Sequence, residues 1–487
     1  MSLWIALHFP LLPLEVFRPR WSNELAAVVF DHDRVLAFSA AAQALGVQPD
    51  MRRAGVLLLA DEALLYDRDL QRETQTLQDA AMALLQYSPQ LADGGEATLL
   101  IDIGASLRLF GGIRRLCRHI RKTVEQLGLS AYLSCAPTAQ AAWLLAQSDA
   151  HHRRALRMPT LMRLVDQLPL HLLPAARPHL AWLQGIGCHS PAQLRQLPRA
   201  GLQRRCGLPL LNALDRAYGD LPELFEWIVA PPTFQARIEL PDRIDDAEAL
   251  LFAARHLLIQ MTGWLNAKQL AVNRIALQLE HERGRQAIAP TPLDILLAQA
   301  SWQEEHLLRL LKERLSQLTL AAPVIAISLA ALQVEAMAVP NQSLFPEPGG
   351  TSEDHQRLIE LLTARLGADA VLQPALQADH RPETANSWAP ALQTVTQPAA
   401  LPANLPRPTW LLPTPQALSI RDHRPFYRSV LKVISPPERI EAGWWNTQLI
   451  TRDYFIAEGL DHAHYWIYRE RIGQDAQAHW YLHGLFG

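Results

Sequence analysis

The most constraining feature of this chain is its first strand. Leu3 to Phe9 is apolar apart from His8, and Pro10 and Pro13 follow at once. Such a run predicts a short buried strand. The prolines end it, because neither can donate a ladder hydrogen bond. Leu25 to Phe30 and Val35 to Ser39 follow as strands around Asp31-His32-Asp33, a hairpin signal. A helical tract from about Asp69 to Tyr87 has apolar residues at helical spacing and stops at Ser88-Pro89. After Gly94-Gly95 come a strand, Ala97 to Ile103, a helix, Ile113 to Leu127, a strand, Ser130 to Cys135, and a helix, Ala139 to Ala146. That order predicts a split βαβ sheet with a smaller insert.

With 487 residues the chain is too long for one core, and about three to five domains are expected. A net charge of −3 excludes a globally polycationic nucleic-acid binder but not local basic faces. Only Lys122, Lys268, Lys312 and Lys432 are lysines among 45 basic residues. That bias reads as genome composition, and the arginine fork also suits phosphate. Cys117, Cys135, Cys188 and Cys206 are scattered without a CxxC pair, which speaks against a disulfide framework or zinc site. With no basic-then-apolar leader and no apolar stretch of about 18 residues, a cytoplasmic protein is expected.

Residues 166–228 are short-helical. Gly185-Ile186-Gly187 precedes Ser190-Pro191, an N-cap and N1 pair that starts a new helix. A helix-hairpin-helix turn of this kind can offer bare N–H groups to phosphate. Arg204 and Arg205 form a basic patch downstream. An ordinary turn with solvated arginines fits the same residues equally well. Residues 231–338 predict an independent α+β domain. Its strands are Phe234 to Leu240, Asn273 to His281 and Val324 to Val334, and its helices Ala247 to Leu265 and Gln303 to Leu318. Arg237, Arg274, Arg283 and Arg285 could line its open sheet face, or merely keep it soluble.

Beyond Val339, Leu344-Phe345 sits in a polar, proline-flanked loop. Alone it reads as an accidental apolar pair; the other reading is an anchor for a partner's pocket. A helix, Glu353 to Leu366, precedes the segment 381–415, whose eight prolines predict an extended linker. Alternation in Tyr465-Trp466-Ile467-Tyr468 and His479-Trp480-Tyr481-Leu482 predicts a small β domain with an aromatic core and a possible aromatic binding face.

Taken in order, these stretches resemble the Y-family (translesion) DNA polymerases over essentially the whole chain, and more closely their non-catalytic branch, the ImuB proteins. The resemblance implies a multidomain α/β (α+β) right hand. Its ferredoxin-like palm would be 1–24 and 80–165, small fingers 25–79, helical thumb 166–230 and α+β little finger 231–338. A clamp-binding peptide at 339–350, a helical segment at 351–380 and a Pro-rich linker at 381–408 would follow. The C-terminal aromatic-rich β domain, 409–487, would bind partners.

In that family the place of His8 and Pro10 carries two aspartates, and the place of Ala97 and Thr98 carries the catalytic Asp-Glu pair. Asp102 matches a later, non-catalytic aspartate. The fingers Tyr and Arg that touch the triphosphate are Ala40 and Gln43 here, and two palm lysines are Ala139 and Trp143. Nucleotidyl transfer in this class needs two Mg²⁺ about 3.5–4 Å apart. Mg²⁺ takes hard oxygen ligands in near-octahedral order, so clustered carboxylates are required. His8 is a poor ligand and Pro10, Ala97 and Thr98 supply no carboxylate; His8 reads instead as a core histidine. Glu96 is the nearest carboxylate, and strand alternation puts it on the side of Thr98. The resemblance therefore implies no resident metal or cofactor.

Asn341-Gln342-Ser343-Leu344-Phe345 resembles the family's sliding-clamp peptide, Gln-Leu-Ser/Asp-Leu-Phe, with Asn341 and Gln342 as departures and both anchors kept. Gly185, Gly187, Ser190, Arg204 and Arg205 become DNA contacts in this context. The implied partners are damaged primer-template DNA, the sliding clamp, the RecA-like accessory protein ImuA and an error-prone C-family polymerase subunit. Work on DNA would associate the chain with the nucleoid. A weakly active polymerase with a shifted metal site, and a scaffold that never touches DNA, are the competing expectations.

Overall fold

The computed structural model describes residues 2–22, 25–148, 153–282, 288–337, 352–393, 395, 405–445, 449–471 and 479–486. Asn341, Gln342, Leu344 and Phe345, like Arg283 and Arg285, lie outside the described residues. The chain divides into two compact units, Met1–Arg365 and Leu366–Gly487. No helix among the described residues is long and apolar enough to cross a membrane.

The first unit begins with β1 (Trp4–His8), the insert strands β2 (Ala27–Asp31), β3 (Arg34–Phe38) and β4 (Leu64–Asp67), and helix α1 (Leu70–Leu84). Then come β5 (Leu91–Asp93), β6 (Thr98–Asp102), α2 (Ile113–Gln126), β7 (Tyr132–Ala136) and α3 (Ala139–Ala146). The sheet order is β5-β6-β1-β7, with every pair antiparallel. This is the expected ferredoxin-like sheet, with β1 at its centre.

Strand alternation divides β1 between two cores. Ile5, Leu7 and Phe9 join the cluster of α1 and α2, while Trp4 and Ala6 join that of α3. Each large apolar side chain buried this way contributes about 1.5–3 kcal/mol. The insert forms its own three-stranded sheet, β3-β2-β4, around Val28, Phe30, Val35 and Val56.

A helical lobe follows: α4 (Met158–Asp166), α5 (Leu180–Gly185), α6 (Pro191–Gln196), α7 (Arg199–Cys206) and α8 (Leu208–Tyr218). It shares its core with α3 and with Trp4 and Ala6 of β1.

The next part contains β8 (Gln235–Ile244), α9 (Leu250–Lys268), β9 (Leu270–His281), β10 (Thr291–Ser301), α10 (Glu304–Leu315), β11 (Val324–Ala336) and α11 (Ser352–Leu366). Its sheet runs β10-β9-β11-β8, one strand more than expected. The extra strand is β10. Pro290 and Pro292 obscure it, although Leu293, Ile295 and Leu297 alternate inward.

This part is not packed as an independent domain. Its α9 lies on α1 so closely that a Cβ on Gly263 would sit 2.3 Å from the Met82 carbonyl oxygen. One apolar cluster therefore runs from Ile5 and Leu7 through Leu84 to Trp264 and Leu277.

His256 of α9 is buried in that contact, with Nδ1 3.2 Å from the Leu127 carbonyl oxygen. Burial pushes its pKa down to about 4, against 6.5 for an ordinary histidine. The unfolded chain therefore takes up this proton first. Stability from the neutral ring is complete above pH 6.5 and drains away towards pH 4, by about 3 kcal/mol over the whole window. Urea midpoints at pH 7 and 4.5 should fall farther apart for the native chain than for His256→Gln. Equal spreads would remove this histidine from the account.

In α11 the buried Glu360 carboxylate accepts from Ala298 N at 2.7 Å and lies 2.6 Å from His306 Nε2. The helix belongs to the first unit, so the expected helical segment 351–380 does not hold together. Its later part enters a two-stranded sheet of β12 (Leu372–Leu376) and β13 (Asn386–Pro390).

The Pro-rich linker also needs correction, since β13 lies inside it and β14 (Trp410–Arg421) contains Pro413 and Pro415. A break in register between Leu411 and Gln416 accommodates both prolines, which have no N–H to donate.

With β14, the strands β15 (Arg424–Tyr427), β16 (Ser429–Val430), β17 (Lys432–Val433), β18 (Glu438–Ala442), β19 (Ile450–Glu458), β20 (His464–Glu470) and β21 (Trp480–Leu485) form an eight-stranded sheet. Tyr465 and Ile467 bury on one face, Trp466 and Tyr468 on the other, as alternation predicts. Tyr454 stacks on Trp466 at 4.1 Å and its hydroxyl lies 2.8 Å from His483 Nδ1.

Candidate functional site

The four positions of the expected metal site fall at one end of the central sheet. His8 pairs in register with Thr98 across β1 and β6, and with Tyr132 across β1 and β7. Its Nδ1 lies 3.1 Å from the Thr98 Oγ1, which also accepts from Gln147 Nε2 at 3.4 Å. Thr98 is fully buried and donates to the Glu96 carbonyl oxygen at 3.1 Å. Burial holds the His8 imidazole below its ordinary pKa, opposed by a backbone hydrogen bond involving Glu96. The half-buried ring is held towards its neutral form and engaged with Thr98 at the strand end.

Glu96 and Ala97 do not extend β6. Both have left-handed backbone, with φ of +47° and +50°. Strand alternation therefore does not apply to them, and the expectation that Glu96 shares the side of Thr98 on that ground is withdrawn. The Ala97 carbonyl instead accepts from Phe9 N at 2.8 Å, tying the turn to the end of β1. The Glu96 carboxylate is held by both terminal nitrogens of Arg177, at 2.5 and 2.8 Å. A bidentate guanidinium satisfies the oxygens a metal would need.

Asp102 stands four residues along β6 from Thr98, about 13 Å away. It accepts from Gly104 N. Its carboxylate and that of Glu96 are thus engaged with different partners, Gly104 N and Arg177. Among the described residues no group of three or more His, Cys, Asp or Glu side chains could hold a metal. His8, Pro10, Ala97 and Thr98 do not fit Mg²⁺, which needs clustered oxygen anions.

The expected nucleotide contacts are equally plain. Ser39 caps the short helix Ala40–Ala44 through its Oγ, and Ala40 and Gln43 lie on the exposed side of that helix. The N-terminus of α3 is a potential phosphate seat, with Ala139 where the family has lysine. It is already filled. The Glu223 carboxylate accepts from Ala139 N at 2.8 Å and Gln140 N at 2.6 Å. Sequence reasoning missed Glu223, Arg177 and Gln147, because each meets its partner from 49 or more residues away.

The structure brings the expected DNA contacts into one lobe. Gly185 and Gly187 shape the turn between α5 and α6, and Ser190 caps α6 by accepting from Gln193 N. Gln193 Oε1 reaches back to accept from His189 N at 2.7 Å, one residue before the cap. The turn is less bare than expected. The N–H groups of Ile186, Gly187 and Cys188 all donate to carbonyls of α5.

Arg204 and Arg205 are exposed in the last turn of α7, and the Arg205 guanidinium lies 5.4 Å from the Trp182 ring of α5. In contrast Arg237 is bound to Glu280 and Glu239, and Arg274 to Asp294. Both described arginines of that set are neutralised by carboxylates. In the second unit Trp388, Trp410, Trp444 and Trp445 are exposed, candidates for a partner surface.

Residues 10–147 match the impB/mucB/samB family. Two curated proteins, each called Protein ImuB, from Caulobacter vibrioides strains NA1000 and ATCC 19089, are each 26% identical over 467 residues. The match covers 91% of this chain and all of each relative. Among solved structures, a Dbh-based Y-family DNA polymerase chimera matches with a TM-score of 0.37 and 16% identity, covering 69% of this chain and 99% of that one. An insertion ternary complex of Dbh DNA polymerase gives 0.38 and 15%, covering 69% and 100%.

Proposed function

We propose that this chain, an ImuB-like relative of the Y-family DNA polymerases, is a non-catalytic adaptor of translesion synthesis. It holds primer-template DNA while another polymerase inserts the nucleotides. The observation that carries this reading is the hydrogen bond between His8 and Thr98 where the family places carboxylates. Neither side chain offers an oxygen anion, and the nearest carboxylate, Glu96, is bound to Arg177. Positioning DNA needs none of that chemistry. The Gly185–Gly187 turn, Ser190, Arg204 and Arg205 supply the grip. Residues Asn341, Gln342, Leu344 and Phe345 bind the sliding clamp, and the C-terminal unit receives ImuA or an error-prone C-family polymerase subunit. The setting is damage-induced mutagenesis, with the chain on nucleoid DNA in the cytoplasm.

A weakly active polymerase is the second reading, because the Glu96 carboxylate is solvent-accessible and its backbone carbonyl contacts Thr98. One experiment separates the two. The purified chain is given primer-template and nucleotides with Mg²⁺ or Mn²⁺, and DNA binding is followed across a salt series. The adaptor leaves the primer unextended and binds DNA more weakly as salt rises. Extension that disappears in Glu96→Gln would establish the polymerase. Failure to bind at low salt would leave a scaffold without a DNA grip.

A further inference from the structure

Helix α2 has a face that the adaptor reading does not use. It buries Leu116, Cys117, Ile120 and Val124 against the same sheet face as Ile5 and Leu7. It therefore lies on the opposite side of the sheet from His8. Its outward side carries Arg114, Arg118, Arg121 and Lys122. A fifth cation comes from another element. Residue 154 bridges to Cys135 on the free edge of β7, which places Arg154 beside α2. Together they line a notch of about 480 Å³ with Glu125 as its one acidic wall residue.

The arginines of this unit are otherwise widely neutralised: Arg18, Arg68, Arg177, Arg199, Arg237 and Arg274 all hold carboxylates. Among the described residues, no ion pair joins any of the five notch cations to a carboxylate. The Nε of Arg121 is buried without a hydrogen-bond partner. A buried N–H of a charged group left unmade is costly. The five cations themselves are left for an anion to neutralise.

We infer that this notch binds the phosphate backbone of single-stranded DNA, as a second DNA site separate from the helical lobe. Four of its five cations are arginines, whose planar fork grips phosphate oxygens in pairs. From Arg114 to Lys122 the helix rises about 12 Å, the span of a few successive phosphates of one strand. Cations from two elements wall the notch, so a flexible single strand can bend to meet both, which a stiff duplex backbone does less readily. Such a site would hold template beyond the primer end, or the strand of a neighbouring gap, while the lobe holds the duplex.

The test uses the full chain and Arg118→Glu with Lys122→Glu, both exposed residues one helical turn apart. A labelled twenty-nucleotide dT strand and a blunt duplex of equal length are titrated separately by anisotropy. The variant should bind dT about tenfold or more weakly, and its salt slope should fall by about 1.4 for two lost phosphate contacts. Its duplex affinity should hold. Circular dichroism checks folding, and Arg118→Gln with Lys122→Gln replaces the reversal if that variant does not fold. Equal dT affinity in a folded variant overturns the site. A parallel loss of duplex binding overturns its preference for a single strand. Absence of dT binding by the native chain at low salt also overturns it.

Discussion

Changing Leu344 and Phe345 together to alanine should abolish capture of this chain by the sliding clamp while leaving its fold intact. In the family's clamp peptide these are the two apolar anchors, and they are the residues this chain keeps. Buried anchors of this kind carry most of an interface's energy, about 2 kcal/mol or more each. Losing both weakens binding by about a thousandfold, below what a pull-down retains. Asn341 and Gln342 predict a second result. Asn341→Gln with Gln342→Leu restores the family's pattern and should tighten capture. A pull-down with purified clamp, quantified by titration, checks both. Undiminished capture of the double alanine variant would place the anchor elsewhere in the chain.

A comparable loss, in stability rather than binding, is expected from Gly263→Val. The added atoms would meet the Met82 carbonyl oxygen at 2.3 Å and the Ala83 Cα at 2.7 Å, both backbone. Backbone cannot rotate away as a side chain can. Helices α9 and α1 must separate, which opens the apolar cluster joining the central sheet to the four-stranded domain. Overpacking of this kind costs about 3 kcal/mol, the upper end of its usual range. Gly201→Ala is the matched control, since a Cβ there meets nothing within 4 Å. It should be neutral or slightly stabilising in a helix interior. Urea midpoints of the three proteins decide the matter. Coincidence of Gly263→Val with the native chain would show that the helices are not so closely packed.

Much of the first unit was legible because its signals are local. The run from Trp4 to His8, the periodicity of Leu77, Ala81 and Leu84, and the Ser190-Pro191 start each depend on near neighbours. The order of strands and helices was therefore enough to anticipate a split βαβ sheet, but not its three-residue edge strand β5, which is too short to carry a pattern. In the second unit Tyr465 to Tyr468 declared a two-faced strand for the same reason. Proline-rich stretches misled. Pro292 hid β10, and Pro413 and Pro415 made β14 look like linker, because composition does not reveal where a ladder tolerates a missing donor.

At the candidate site the sequence by itself determined which ligand atoms four positions can offer. His8, Pro10, Ala97 and Thr98 contain no carboxylate, and ligand chemistry follows from residue type alone. Only the tertiary structure decided what surrounds those positions. Arg177 reaches Glu96 from 81 positions away, Glu223 closes the α3 N-terminus from 84, and Gln147 reaches Thr98 from 49. It also decided that Arg154 stands beside α2, through an edge bridge no local pattern encodes. Charges and hydrogen bonds act through space, so their partners depend on the packing of the whole unit. Strand, helix and cap signals act along the chain, within a few residues, where a sequence can be read directly.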